Sequence, residues 1–342
     1  MRIVVAGAGA VGASVAYHLA LLGARDVVLC DRGQVAGGAT AKAMGGVRQQ
    51  FSTAAEVRLA QESIAFFEAL GPPYFDQVGY LFLATTAAGL ECLEARMVLQ
   101  RRLGVPVERA ELPDGVNGDD VLGAVACAKD GVADPPAVTR ELVRRAAGLG
   151  VRVEEGVDAR SVDRDVLVIC CGPHSAELAS ELPVRPLCRQ LLETGPLELD
   201  ARLPMVVEEE TGFHFRRRRD RLVVAMSDSS PRWGFETSVD ESVFDDRLAR
   251  LAHRYRGAAA CEVADAWAGL YDMTPDAHPV VGRIAEGVFA ACGFSGHGFM
   301  QSPAVGRALA EEIVHGRSSF DLSPYRLDRL AGEAELAETV VL

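Results

Sequence analysis

A glycine-rich hexapeptide near the N-terminus is the feature that most restricts what this chain can fold into. Residues 2–6 (RIVVA) form a β-branched run, and residues 7–12 (GAGAVG) follow it directly. Residues 13–24 have apolar side chains that can cover a helix facing a sheet, and residues 26–30 form a second strand-like run. This order predicts the strand–turn–helix–strand unit that opens a doubly wound α/β fold.

The spacing of the glycines predicts a dinucleotide-binding turn. Gly7 is expected to make the tight turn, Gly9 to let the backbone approach a pyrophosphate, and Gly12 to allow close packing of helix on strand. Asp31 follows the second strand at the spacing of a carboxylate that accepts hydrogen bonds from ribose hydroxyls, and its charge disfavours NADP. The motif alone leaves FAD and NAD open.

Composition limits the remaining classes of function. A chain of 342 residues favours two domains, and its net charge of -13 disfavours nucleic acid and anionic lipid as partners. The eight cysteines include no C-x-x-C pair, which indicates reduced thiols, and no metal site is predicted. No stretch is long and apolar enough for a signal peptide or a membrane span, so we expect a cytoplasmic protein.

Three further segments carry a resemblance to a known family. They are residues 37–52 (GGATAKAMGGVRQQFS), 269–282 (GLYDMTPDAHPVVG) and 293–304 (GFSGHGFMQSPA). Together with the N-terminal glycines and the VLVICCGPHS segment, they resemble the D-amino-acid oxidase (DAO), sarcosine oxidase and glycine oxidase family over nearly the whole chain. The chain looks most similar to the sarcosine oxidase beta-subunit and dimethylglycine dehydrogenase branch, whose members oxidise secondary or tertiary amino acids through FAD.

The resemblance implies an α/β fold with α+β elements. A Rossmann-like FAD-binding domain, discontinuous in sequence, is expected over 1–80, 135–185 and 265–330. A substrate domain built on a mixed or antiparallel β-sheet is expected over 81–134 and 186–264, and a loose tail over 331–342. A helix from Pro303 to about His315, with Ser302 as its N-cap, is predicted from the sequence itself. The hairpin that normally joins two cofactor-binding strands of this family looks deleted.

The cofactor residues follow from the glycine motif and from the resemblance. FAD is expected to be noncovalent, because alanine and glycine occupy the two positions, 43 and 269, near which relatives carry a linking residue. The residues predicted to contact FAD are Gly7, Gly9, Ala10, Val11, Gly12, Asp31, Arg32, Gly38, Ala39, Thr40, Gly45, Gly46, Val157, Cys171, Gly172, Gly293, Gly296, His297, Gly298, Phe299 and Met300.

Four residues are candidates for the substrate site. Arg48 is the first candidate for a cation that binds a substrate carboxylate, with a structural role in the FAD loop as its alternative. Tyr271 stands where the glycine-oxidase branch carries a carboxylate-binding arginine, so either the tyrosine hydroxyl binds the carboxylate or the substrate lacks that carboxylate. His214 and Arg216 lie on a predicted hairpin and face either the flavin or solvent.

The expected reaction is oxidation of the C–N bond of a small amine or amino acid, such as sarcosine, dimethylglycine or a proline-like compound, by hydride transfer to flavin N5. Oxygen or another acceptor would take the electrons, and a homo- or hetero-oligomer is possible. An NAD-dependent dehydrogenase and a non-catalytic subunit that keeps the FAD fold are the alternatives. The hypothesis of an NAD-dependent dehydrogenase leaves the C-terminal glycine loop unexplained.

Overall fold

The computed structural model describes residues 1–331 and 337–342. Six helices are found in this part of the chain: α1 (Ala10–Leu21), α2 (Ala54–Leu70), α3 (Ala87–Arg102), α4 (Pro135–Gly148), α5 (Phe244–Arg254) and α6 (Gly298–His315). Its strands are β1 (Arg2–Ala6), β2 (Asp26–Asp31), β3 (Gly46–Val47), β4 (Phe75–Asp76), β5 (Tyr80–Ala84), β6 (Val107–Arg109), β7 (Gly123–Cys127), β8 (Gly131–Ala133), β9 (Arg152–Glu155), β10 (Val166–Ile169), β11 (Arg185–Thr194), β12 (Met205–Glu208), β13 (His214–Arg218), β14 (Arg221–Ala225), β15 (Arg232–Trp233), β16 (Val263–Met273), β17 (Val280–Ala285) and β18 (Val288–Cys292).

The first sheet has six strands in the order β17-β18-β10-β1-β2-β9. All of its pairs are parallel except β17 with β18. Its central strand β1 is apolar and buried from Ile3 onward, as expected for a strand covered on both faces. Helix α1 packs against α4 and α6 beside this sheet. The predicted Rossmann-like unit is therefore confirmed.

The second sheet has nine strands and is mixed. Its strand order is β15-β11-β14-β13-β12-β5-β7-β6, and β16 pairs with the edge of β11 that faces away from β14 and β15. Its pairs are antiparallel except β12 with β5. Residues 213–226, predicted as a hairpin, form β13 and β14 with a turn at Arg219 in the left-handed region. This sheet confirms the mixed β-sheet layer expected beside the nucleotide fold.

The two layers meet where β16 passes the loop after β2. The three-stranded sheet β3-β8-β4 lies at this junction, and Lys42 in the loop packs against Gly269 of β16. Strand β16 pairs with β11 over almost its whole length, including residues assigned by the sequence to the FAD-binding domain. The predicted domain boundaries stay a prediction. Strands β9 and β10 are joined by residues 156–165 without an intervening hairpin, as the sequence indicated.

Helix α6 begins one turn and a half earlier than the sequence predicted. It starts at Gly298, and Ser302 and Pro303 lie inside it. A proline at this position leaves the Phe299 carbonyl without its usual N–H donor, and the Ser302 hydroxyl donates to that oxygen at 2.9 Å instead. The amide of Ala304 donates to Ser63 Oγ at 3.2 Å. Side chains thus take over the broken hydrogen bonds, and Ser302 is not an N-cap.

The C-terminal segment, defined as residues 337–342, packs against the body of the protein. The sequence predicted a loose tail over 331–342, of which residues 332–336 lie outside the described residues. Glu338 is 3% exposed and accepts hydrogen bonds from the backbone and hydroxyl groups of Ser52 and Thr53. Over the residues described, no helix is long and apolar enough to cross a membrane.

Candidate active site

A cavity of about 660 Å³ lies where the carboxyl ends of β1, β2 and β10 face strands β11 and β16. Its volume falls within the range of small-molecule and cofactor sites. In open α/β sheets such crevices form at the carboxyl edge, where the loops after parallel strands diverge. The cavity is therefore the expected position for a dinucleotide and for a substrate beside it.

The glycine turn has the geometry that its spacing predicts. Gly7 has a φ of +100°, and a Cβ atom there would lie 2.4 Å from the Cys170 carbonyl oxygen. A Cβ atom on Gly12 would lie 1.8 Å from the Gly7 oxygen, so only glycine lets α1 pack this closely on the turn. Gly9 lies on the cavity wall and N-caps α1 with its backbone. The N-terminus of α1 thus presents a favourable position for phosphate.

Asp31 lies on the same wall, at the end of β2. Its carboxylate accepts hydrogen bonds from the amides of Ala8 at 2.8 Å and Gly33 at 2.7 Å, which hold it beside the glycine turn. The neighbouring Arg32 is paired with Glu177 at 2.8 Å. A carboxylate at this position can accept further hydrogen bonds from a ribose.

Most of the residues predicted to contact FAD lie on the cavity wall, and a few do not. Those on the wall are Gly7, Gly9, Ala10, Val11, Asp31, Arg32, Gly38, Ala39, Thr40, Val157, Cys171, Gly172, Gly296, Gly298 and Phe299. Those away from it are Gly12, Gly45, Gly46, Gly293, His297 and Met300.

Steric packing explains three of the glycines away from the wall. A Cβ atom on Gly45 would lie 2.3 Å from the Ala133 oxygen, and one on Gly46 would lie 1.7 Å from the Tyr80 hydroxyl. A Cβ atom on Gly293 would lie 2.4 Å from Thr274 Cγ2. These positions need glycine because neighbouring atoms fill the space that a side chain would take. Their role is therefore to allow close packing next to the cavity rather than to line it.

The N-terminus of α6 opens onto the cavity. Gly296, Gly298 and Phe299 line it, and the positive end of the helix dipole favours negative charge there. His297 points inward instead: it is 3% exposed, and its Nε2 lies 3.1 Å from the Val340 carbonyl oxygen. Burial holds the pKa of His297 well below its usual range, so the ring is neutral.

Arg48 lies behind the cavity, at 1% exposure, and does not line it. Its guanidinium donates to the carbonyl oxygens of Gln50 and of Val340, the latter at 2.6 Å. The same group stacks on the Phe51 ring, with 4.0 Å between its central carbon and the ring centroid. These contacts support the structural alternative for Arg48, because two of its three nitrogens already bind main-chain oxygens.

His214 and Arg216 are buried rather than exposed to solvent, and neither lines the cavity. His214 Nδ1 lies 2.8 Å from the Gly212 oxygen, and burial lowers the pKa of the ring to about 4, so it is neutral. Arg216 donates to the Met44 oxygen at 2.5 Å. Burial lowers the pKa of Arg216 to about 10, which leaves it charged at neutral pH.

Tyr271 is the predicted substrate residue that does line the cavity. Its hydroxyl donates to the main-chain oxygen of Leu342 at 2.8 Å. Burial raises the pKa of Tyr271, so its hydroxyl remains a donor at neutral pH. A Cβ atom on Gly296 would lie 2.4 Å from the Tyr271 ring, so this glycine makes room for the tyrosine.

Arg189 on β11 also lines the cavity, and sequence reasoning missed it. Residues 185–194 (RPLCRQLLET) alternate poorly, so the sequence does not indicate which face of the strand is inward. Strand β11 also contains Arg185 and Glu193, so the presence of a charged residue in this strand does not by itself single out Arg189. The pairing with β16, which brings Arg189 opposite Gly269, is a long-range contact that the sequence does not reveal.

Comparison with known proteins identifies the family. The family described as DAO, FAD dependent oxidoreductase, matches residues 2–312. The chain belongs to this family. FAD, rather than NAD, is therefore its cofactor, and the family comprises oxidoreductases. A glycine oxidase of Geobacillus kaustophilus is 25% identical over 97% of this chain and 97% of its own.

Two further similarities extend the comparison. The 4-methylaminobutanoate oxidase (formaldehyde-forming) of Paenarthrobacter nicotinovorans is 27% identical, over 97% of this chain and 46% of its own length. The chain thus spans less than half of that relative. The crystal structure of L-proline dehydrogenase from P. horikoshii superposes with a TM-score of 0.90 at 24% identity, covering 98% of both chains, which establishes the same fold.

The residues of the cavity fit the FAD that the family implies. The glycine turn and the α1 N-terminus would hold the pyrophosphate, and Asp31 would bind the ribose. The N-terminus of α6, with Gly296 and Gly298 on the wall, would lie beside the flavin ring, where negative charge develops on reduction.

Proposed function

We propose that this protein oxidises the C–N bond of a small secondary or tertiary amino acid, such as sarcosine, dimethylglycine or a proline-like compound. The observation that supports this is the continuity of one cavity. It runs from the glycine turn and Asp31 to the inner strands that carry Arg189 and Tyr271. The same wall therefore offers a cofactor site and, next to it, donors suited to a carboxylate.

Bound FAD would supply the redox chemistry by accepting a hydride at N5. The chain supplies orientation of the substrate beside the cofactor. Two ionisable groups on the cavity wall are Tyr271, which burial keeps protonated by raising its pKa, and Asp272, whose pKa burial raises to about 6. We expect the substrate amine to react in its neutral form, with its own lone pair assisting removal of the hydride.

The visible spectrum of the purified protein tests this proposal first. We expect a flavin spectrum that sarcosine, dimethylglycine, proline or pipecolate bleaches under anaerobic conditions, and that a D-amino acid with a primary amine bleaches less readily. Readmitting air then separates two activities: rapid return of colour indicates an oxidase, and slow return a dehydrogenase with another acceptor. A colourless protein that cannot be loaded with FAD would contradict the proposal.

A matched pair of glycine variants serves as a control for cofactor binding. Gly9→Ala adds a methyl group to the cavity wall, 3.1 Å from Thr40 Oγ1, and we expect it to lower the flavin content. Gly195→Ala adds the same group where no atom lies within 4 Å, and we expect the flavin content of the native protein. Equal flavin loss in both would indicate a general folding defect.

A non-catalytic subunit with bound FAD is the second candidate. The C-terminal segment favours it, because the main-chain oxygens of Val340 and Leu342 bind Arg48 and Tyr271. A flavin spectrum that none of the amines bleaches would support this reading. The cytoplasmic location, the noncovalent attachment of FAD and an oligomeric assembly stay predictions.

A further inference from the structure

We propose that Arg189 binds the substrate carboxylate. The inference rests on the proposed function, because it assumes that the substrate is an amino acid. It assigns the carboxylate to a residue that neither the glycine motif nor the family resemblance indicates. Arg48, which the sequence favoured for this role, already binds the main-chain oxygens of Gln50 and Val340.

The position of Arg189 in the sheet directs it toward the cavity. It lies directly opposite Gly269 in the antiparallel pair of β11 and β16, so the two residues share one face. Tyr271, two residues further along β16, is on the same face of the sheet. The central guanidinium carbon of Arg189 lies 5.6 Å from the centroid of the Tyr271 ring.

Two of the three nitrogens of the Arg189 side chain have unused hydrogen-bond donors in the part of the chain that the structure describes. Its Nε and Nη1 atoms are buried and lack hydrogen-bond partners among residues 1–331 and 337–342. A buried cation without an acceptor is costly, so such a group is expected to meet an anion from outside the chain. A planar guanidinium suits a carboxylate, because two parallel N–H groups can bind its two oxygens.

The other cations on the cavity wall have different surroundings. Arg32 is paired with Glu177 and Arg160 with Asp158, both at the end of the cavity near β2. Lys42 is exposed. Arg189 therefore combines partial burial, unused donors and a position at the inner end. A carboxylate bound there would also come within reach of the Tyr271 hydroxyl, once that group releases Leu342.

Binding of a ligand that cannot be oxidised tests the assignment without turnover. Cyclopentanecarboxylate and cyclopentanecarboxamide have the same ring, and only the first carries a charge. We expect the carboxylate to perturb the flavin spectrum of the holoprotein and to bind more tightly than the carboxamide. Arg189→Gln should weaken carboxylate binding about 10- to 100-fold, since a charged hydrogen-bond donor is lost, and change carboxamide binding less than about twofold.

Two variants make this comparison specific. Arg189→Lys keeps the charge and should retain part of the affinity for the carboxylate. Arg185→Gln removes a charge from the same strand, where the guanidinium stacks on the exposed Trp233 ring, and should bind both ligands as the native protein does. Native protein that does not distinguish the two ligands, or Arg189→Gln protein that binds both normally, would overturn the assignment.

The outcome for Arg189 is distinguishable from the outcome for the proposed function. If amines bleach the flavin but Arg189→Gln leaves carboxylate binding intact, the activity stands and the site assignment fails. If carboxylate binding depends on Arg189 but no amine bleaches the flavin, the binding site stands and the proposed oxidation fails. For an oxidisable amino acid, we expect Arg189→Gln to raise the Kd for reduction more than it lowers the limiting rate.

Discussion

Arg48 illustrates at the scale of one residue how burial decides between two roles. Its guanidinium holds the Gln50 and Val340 oxygens and stacks on Phe51, at 1% exposure. Arg48→Ala would leave both oxygens without a donor and open a cavity. We expect the free energy of unfolding to fall by about 3 kcal/mol, measured by urea denaturation with circular dichroism.

The same variant separates the structural role from a substrate role. If Arg48→Ala leaves stability unchanged and instead weakens carboxylate binding to the flavin site, the sequence prediction for Arg48 would be correct and the structural reading wrong. Arg48→Lys keeps the charge but not the two-pronged geometry, so we expect it to recover only part of the lost stability.

The roles of single residues were predictable where the backbone conformation itself requires a particular residue type. Gly7 and Gly12 could be assigned from spacing, because a left-handed turn and a close helix–strand approach admit only glycine. Arg189 could not, because its place on the cavity wall depends on the pairing of β11 with β16, in which it lies opposite Gly269, 80 positions away in the chain. Arg48 was recognised as important, but its partners on residues 50 and 340 became visible only in three dimensions.

At the scale of elements, the C-terminal segment is tied to the N-terminus of α2. Glu338 accepts hydrogen bonds from Ser52 and from Thr53, the N-cap of α2, and its charge lies at the positive end of the helix dipole. Glu338→Gln keeps the shape but removes the charge. We expect the segment to open about tenfold more often, seen as faster hydrogen exchange at the amides of Thr339 and Val340.

Those two amides report on the contact directly, because they donate to Ser52 Oγ and to the Glu338 carboxylate. Glu262→Gln, at an exposed position, serves as the matched control and should leave their exchange unchanged. Unaltered exchange in Glu338→Gln would show that the segment is held by Arg48 and Tyr271 rather than by the α2 N-terminus.

The elements themselves were largely predictable, and their starting points less so. The β1–α1–β2 unit follows from its apolar runs and glycine turn, and the β13–β14 hairpin from its strand-like pattern. The start of α6 was not predictable in this way, because Ser302-Pro303 is typical of an N-cap followed by a proline in the first turn of a helix. The structure continues the helix through them because Ser302 and Ser63 replace the missing backbone contacts, the second across 241 residues.

At the scale of the whole molecule, the free energy of unfolding depends on pH through ionisable groups that have opposite effects. Burial raises the pKa of Asp130 to about 6, so this carboxyl favours the folded state at low pH, and its contribution is lost as the pH rises from about 4 to 6. Burial lowers the pKa of His214 to about 4, which has the opposite effect over a similar range. The curve of the native protein therefore cannot be assigned to either group alone.

The contribution of Asp130 can be isolated from the difference between two curves of unfolding free energy against pH, one for the native protein and one for a variant. This residue is fully buried and accepts hydrogen bonds from Gln49 and Gln50 where the three-stranded and nine-stranded sheets meet. Asp130→Asn cannot ionise, so relative to the native protein its stability should rise between pH 4 and 7, by at most about 3 kcal/mol. Urea denaturation of both proteins at each pH measures this. Parallel curves would mean that Asp130 does not titrate in this range, and that the junction tolerates its charge because Gln49 and Gln50 stabilise the anion.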